Sequence, residues 1–184
     1  MAVIGLRKFK AAKLTETDGV ASYSEGKKVA NILKSDLSVS NNEVKLYGDD
    51  VLIEVDTSFN GGNITIGIDD LDGPNGQFML GHTYDDTKKE EISKSSDAAP
   101  YLGVGWINKV SKGGARSYRA TFLTKVQFAE PSEGSETKGE NTSFQTPSLP
   151  GMIMQREDEV WRIRMWGASE EACETWLNTQ LGIA

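Results

Sequence analysis

The chain has 184 residues, enough for one domain that buries a sizeable core without help from metal or disulfide. Its 27 acidic residues outnumber 20 basic ones, and the net charge of −7 argues against a protein that grips nucleic acid through a basic face. A single cysteine, Cys173, excludes an internal disulfide; a single histidine, His82, leaves no basis for a His/Cys zinc site; and no run of 18 apolar residues is present to make a spanning helix.

Residues 1–22 are read as an N-terminal arm. They contain no long apolar stretch ahead of a cleavage site, so no secretory leader is expected, and the Asn-x-Ser/Thr matches at Asn63 and Asn141 are taken as chance. All five prolines lie at Pro74 or later, which leaves the first 73 residues free of the residue that interrupts central strands. Short β-type segments follow one another there: Lys27 to Leu33, Asp36 to Tyr47, and Val51 to Asp56. In the last of these Val51, Ile53 and Val55 alternate with Leu52, Glu54 and Asp56. Asn60-Gly-Gly reads as a hairpin turn, and Asn63 to Asp69 alternates again, with Ile64, Ile66 and Ile68 inward. The pattern is that of an antiparallel sheet with one wet face.

Gln77 to His82 is a predicted short helix that stops near Gly81, and Tyr84 to Asp97 is a charged surface hairpin or loop. Tyr101 to Val110 and Arg116 to Phe128 form a strand pair around Lys112-Gly-Gly-Ala, with Trp106, Tyr118, Phe122 and Phe128 as the bulk of its core. Residues 130–150 are Ser-, Glu-, Gly- and Thr-rich with only Phe144 to bury, and form a flexible loop or an extended arm. Val160 to Trp166 is a last strand, carrying Arg162 and Arg164 in alternation. A C-terminal helix over 169–181 starts at Ser169, a capping hydroxyl followed by Glu170 and Glu171 in the first turn, and has Ala172, Cys173, Trp176 and Leu177 as its apolar stripe. The prediction is one mainly β domain over 1–184, of β-sandwich or barrel type, with one packed central helix and one C-terminal helix.

Catalytic patterns are weak. The acidic pairs Asp49/Asp50, Asp69/Asp70, Asp85/Asp86 and Glu90/Glu91 flank turns, where solvated acids are the ordinary reading, although glycoside hydrolysis does use two carboxylates. Counting a calcium loop from Asp70 puts Pro74 at position 5 and Asn75 where glycine is needed, so the match fails. His82 reads as a partly buried capping group beyond the short helix and Cys173 as a small buried hydrophobe. Neither a dinucleotide fingerprint nor a phosphate loop is present. Lys8, Lys10, Lys13, Arg116, Arg119, Lys125, Arg162 and Arg164 are read as solvated or paired charge, with contact to nucleic acid as the sharper alternative. No catalytic, cofactor or metal residue is assigned.

Five segments, in order, carry a resemblance: Gly5-Leu-Arg-Lys-Phe-Lys-Ala-Ala-Lys-Leu-Thr-Glu-Thr-Asp-Gly, Lys45-Leu-Tyr-Gly-Asp-Asp, Gly61-Gly-Asn-Ile-Thr-Ile, Pro100-Tyr-Leu-Gly-Val-Gly-Trp and Gly114-Ala-Arg-Ser-Tyr-Arg-Ala-Thr-Phe-Leu. Together they resemble the major tail proteins, or tail tube proteins, of long-tailed bacteriophages infecting Gram-positive bacteria, over about Gly5 to Met152. The resemblance implies a β-sandwich with a packed helix, made in the bacterial cytoplasm and built into the virion tail. Hexameric rings would stack into a tube around a tape measure protein, with tail tip and terminator proteins at its ends. Viral DNA would pass through without specific binding, and no membrane anchor is implied. Related readings are the tube of a contractile or secretion-type injection machine and, further off, a carbohydrate-binding β-sandwich. If six subunits each give four strands about 4.8 Å apart, the lumen barrel is at least about 37 Å across, wide enough for duplex DNA. The candidate lumen-facing residues are Glu54, Asp56, Asn63, Thr65, Asp69, Arg119 and Lys125, a mainly acidic and polar lining that would lessen phosphate drag.

Overall fold

In the computed structural model, which describes residues 2–134, 137 and 145–183, the chain is mainly β. The segment expected as an N-terminal arm is instead a strand over most of its length. β1 (Ala2–Thr17) pairs on one side with β2 (Val20–Lys28) through a two-residue Asp18-Gly19 turn, both residues at positive φ (52° and 77°). An Asp-Gly pair at positive φ matches the twist of the strands it joins, so this turn closes the hairpin locally. Phe9, Ala11 and Ala12 are fully buried, which fixes β1 as an interior strand.

β3 (Ile32–Gly48) and β4 (Val51–Ile68) form the longest hairpin. Asn60-Gly-Gly does not turn the chain. It forms a bulge within β4, with Gly61 at φ 94°, while pairing with β3 continues on both sides. A side chain at Gly62 would meet the Ser38 carbonyl oxygen at 2.6 Å, so the residue there must be glycine. The true turn lies at Asp49-Asp50, whose φ values are 49° and 62°; aspartate tolerates this left-handed region better than most residues.

α1 (Gly73–Leu80) begins four residues before the predicted start, because Asp72 caps it by accepting from the Asn75 amide and Pro74 supplies a preset first turn. Gly81, at φ 81°, ends it. A small hairpin of β5 (Thr83–Asp85) and β6 (Glu90–Ile92) follows. β7 (Leu102–Lys112) and β8 (Ala115–Phe128) pair as predicted around Gly113-Gly114. β9 (Ser148–Met154) pairs with both β8 and β4; Pro150 inside it and Pro147 just before it hid it in the sequence. β10 (Arg162–Gly167) pairs with residues 118–123 of β8. α2 (Glu170–Gln180) is capped by Ser169, whose hydroxyl accepts from the Ala172 amide.

The large sheet runs β2-β1-β7-β8-β9-β4-β3, with β10 branching from β8. Its central strands are covered on both faces. On one face Phe9, Ile64, Ile66, Leu123, Val126, Leu149 and Ile153 pack with Phe78, Met79 and Leu80 of α1. On the other, Ala12, Ile107, Ala120 and Phe122 lie under Cys173, Leu177 and Leu181 at the α2 side. Of the predicted helix stripe, Cys173 and Leu177 are buried but Ala172 is exposed. Trp106, Phe122 and Phe128 are buried, and Tyr118 is half-buried. Each fully buried Ile or Phe contributes about 1.5–3 kcal/mol. Lys10 secures α2 to β1, donating to Glu174 at 2.7 Å and Asn178 at 2.6 Å.

Candidate assembly surface

The inner half of the β3–β4 hairpin belongs to the core, and the outer half leaves it. Residues 40–58 are exposed except Gly48, and the strand rise puts the Asp49-Asp50 turn about 30 Å from the point of departure. This projecting segment is not polar. Val44, Leu46, Tyr47, Val51, Leu52, Ile53 and Val55 are 43–65% exposed, far more apolar surface than a strand pair of this kind needs to leave in water. It is also acidic: Glu43, Asp49, Asp50, Glu54 and Asp56 face a single lysine, Lys45, which pairs with Glu43 at 3.4 Å. At its base Phe59 stacks on Trp161, with ring centres 4.6 Å apart. A two-stranded ribbon is marginal alone, so its stability depends on this root in the body.

Four of the seven candidate lumen residues share one face of β4. The bulge at Gly61 shifts the alternation by one, so Glu54 and Asp56 in the projection align with Asn63 and Thr65 in the body, away from Ile64 and Ile66. Asp69 follows just beyond the strand. There it accepts from the Asn31 side chain and backbone, and the side-chain bond holds its carboxyl below the ordinary aspartate value. The two β8 candidates are not brought to this face. A bulge between Leu123 and Val126 places Arg119 and Lys125 on opposite sides of β8, and Lys125 is tied to Glu16 and lies over the Tyr101 ring. The N-terminal lysines are also engaged: Lys8 and Lys10 with Glu174, and Lys13 with Glu25 at 2.8 Å.

Two clusters were not foreseen. His82 is not a helix cap. It is buried, with Nδ1 2.6 Å from Glu91 and Nε2 2.6 Å from Glu130. Burial opposes the charged imidazole, but the hydrogen bonds it donates to the two carboxylates outweigh it and raise the pKa above the ordinary histidine value. One imidazolium thus ties the β5–β6 hairpin to the segment after β8. That segment was expected to be a flexible loop or arm over 130–150; Glu130 is held by His82, Ser132 pairs with Ser148, and residues 135–136 and 138–144 of it, Phe144 included, lie outside the described residues. Among the acidic pairs, Glu91 and Asp69 therefore have partners that were invisible in the sequence.

The second cluster lies on β8 and β10. The register sets Arg164 opposite Thr121 and Trp166 opposite Arg119, so Arg119, Arg162 and Arg164 share the side of these strands that also carries Leu123. Burial and the neighbouring guanidiniums pull Arg162 and Arg164 below the ordinary arginine value. The Nε atoms of Arg119 and Arg164 are buried without a hydrogen-bond partner among the described residues. Arg162 sits over the Trp161 ring at 4.2 Å, and Trp166 beside them is 57% exposed. The Arg-x-Arg alternation of β10 was legible in the sequence; the contribution of β8 was not.

Cys173 is buried, and burial pushes its thiol up and away from reactivity. Fold and surface together define a mainly β protein with an acidic and apolar projection and an arginine face without ion pairs among the described residues. No protein-family model matches the chain, and comparison with curated proteins finds no match.

Proposed function

We propose that this protein is a structural subunit of a bacteriophage tail tube. Copies join into hexameric rings, the rings stack around a tape measure protein, and the finished tube conducts viral DNA into the host. The chain does no chemistry in this role; its function is to complete itself with other copies. The ordered resemblance of five sequence segments motivates the reading, and the observation that carries it is the projecting β3–β4 hairpin. Seven apolar residues exposed along a hairpin that reaches about 30 Å into water are unfavourable in an isolated molecule and become favourable once a second copy covers them. The sheet also ends at β2 and β3, whose outer edges have no strand partner among the described residues and are available for pairing between subunits. In this role Glu54, Asp56, Asn63 and Thr65, with Asp69 just beyond the strand, remain the proposed lining, because the four share one face of β4.

A sedimentation-velocity series over increasing protein concentration tests the reading. Growth from monomer into ring-sized and longer species supports it. A single monomer boundary at every concentration, with and without crowding agent, overturns it.

A further inference from the structure

The arginine face of β8 and β10 is anomalous in a chain with net charge −7: three half-buried guanidiniums repel one another, and none forms an ion pair among the described residues. Burying cationic groups without a counter-charge is costly, so a fold that maintains such a face implies an anion supplied from outside the chain. The projecting hairpin has the opposite imbalance. Asp49, Asp50, Glu54 and Asp56 make no ion pair among the described residues, and the apolar residues between them match the exposed Trp166 that borders the arginines.

We infer that the Arg119/Arg162/Arg164 face is the receptor for the acidic tip of the β3–β4 hairpin of a second copy of this chain. The inference rests on the tube reading and names the contact that would join its subunits. A hairpin cannot serve its own receptor. Its base is rooted at Phe59 on Trp161, next to Arg162, while its ladder of paired residues carries Asp49 and Asp50 about 30 Å from that root. The contact therefore joins two different surfaces of neighbouring copies, and passed on from copy to copy without exchange it generates rings or open stacks. A carboxylate accepts two parallel N–H bonds from a guanidinium, which gives the joint direction as well as strength.

The test compares the full-length wild type with Arg162→Gln/Arg164→Gln, with Asp49→Asn/Asp50→Asn (asparagine keeps the left-handed turn) and with all four changes together. Each pair is expected to raise the concentration needed for assembly about tenfold or more, and the four together no further than either pair, because both remove one joint. A second variant, Val51→Cys with Arg164→Cys, is expected to give disulfide-linked ladders of chains under mild oxidation; it decides the matter should the glutamine pair fail to fold. Unchanged assembly in both pairs, with no linked chains, overturns the inference and leaves the tube reading standing. A wild type that never assembles overturns both. Co-sedimentation of a 30-base-pair DNA duplex with wild type but not with Arg162→Gln/Arg164→Gln, assembly being unaffected, assigns the face to phosphate and also overturns the inference.

Discussion

Replacing Leu52 and Val55 by threonine separates assembly from folding. Both lie on the face of the projecting hairpin opposite Glu54 and Asp56, 45% and 43% exposed, with no place in either apolar cluster, and threonine has the β-branched shape that strands favour. The monomer should therefore keep its stability within about 0.5 kcal/mol, as ordinary surface changes do. In the tube account the same side chains become covered. Burying the exposed part of each, a little under half, contributes about 1 kcal/mol, since full burial is worth about 1.5–3. Losing both costs about 2 kcal/mol per joint, roughly a 30-fold rise in the concentration at which assembly begins. Thermal melting of dilute protein reads the first quantity and pelleting across a concentration series reads the second. Ile66→Ala supplies the contrast: Ile66 is fully buried, so the change should cost about 2–5 kcal/mol of monomer stability. The reasoning is refuted if the threonine pair melts like the Ile66 variant, or if it assembles at the wild-type concentration.

Limited proteolysis should cut within residues 40–58 in the monomer and spare them in the assembled form; equal cutting in both states contradicts the burial assigned to the hairpin. Glu54→Gln with Asp56→Asn should leave the monomer fold intact while slowing DNA passage through reconstituted tails, through stronger phosphate contact; unchanged ejection removes these two residues from the lining. The His82 pKa is raised in the folded protein, so its stabilising contribution is fully present below about pH 6.5 and is lost as pH rises through the raised value. Melting temperature should therefore fall over that window in wild type and stay flatter in His82→Asn; parallel curves would show that the Glu91–His82–Glu130 tie contributes nothing.

What the sequence disclosed follows from how local each signal is. The inward row Ile64, Ile66 and Ile68, the β7–β8 hairpin and the Ser169 cap each rest on residues within one element, and the structure has them as read. Asn60-Gly-Gly misled because glycine serves a bulge and a turn equally well, and only pairing with β3 on both sides distinguishes them. Asp18-Gly19 closes a hairpin that reading residues 1–22 as an arm passed over, although such a pair at a two-residue turn is a strong local cue. The functional surface was the least legible part. Alternation showed that the strand after Val51 had two faces, but not that its outer half leaves the body, which depends on how far β9 reaches along β4. The arginine face joins residues more than forty positions apart, and His82 meets Glu130 across 48 residues of chain, beyond the range of any periodicity.

Electron microscopy of concentrated full-length protein tests the central claim most directly. The account expects sixfold rings with an open centre, stacking end to end into hollow tubes, and their loss in the Leu52/Val55 threonine pair. A field of separate particles the size of one chain, under conditions where the protein is folded and concentrated, would contradict it.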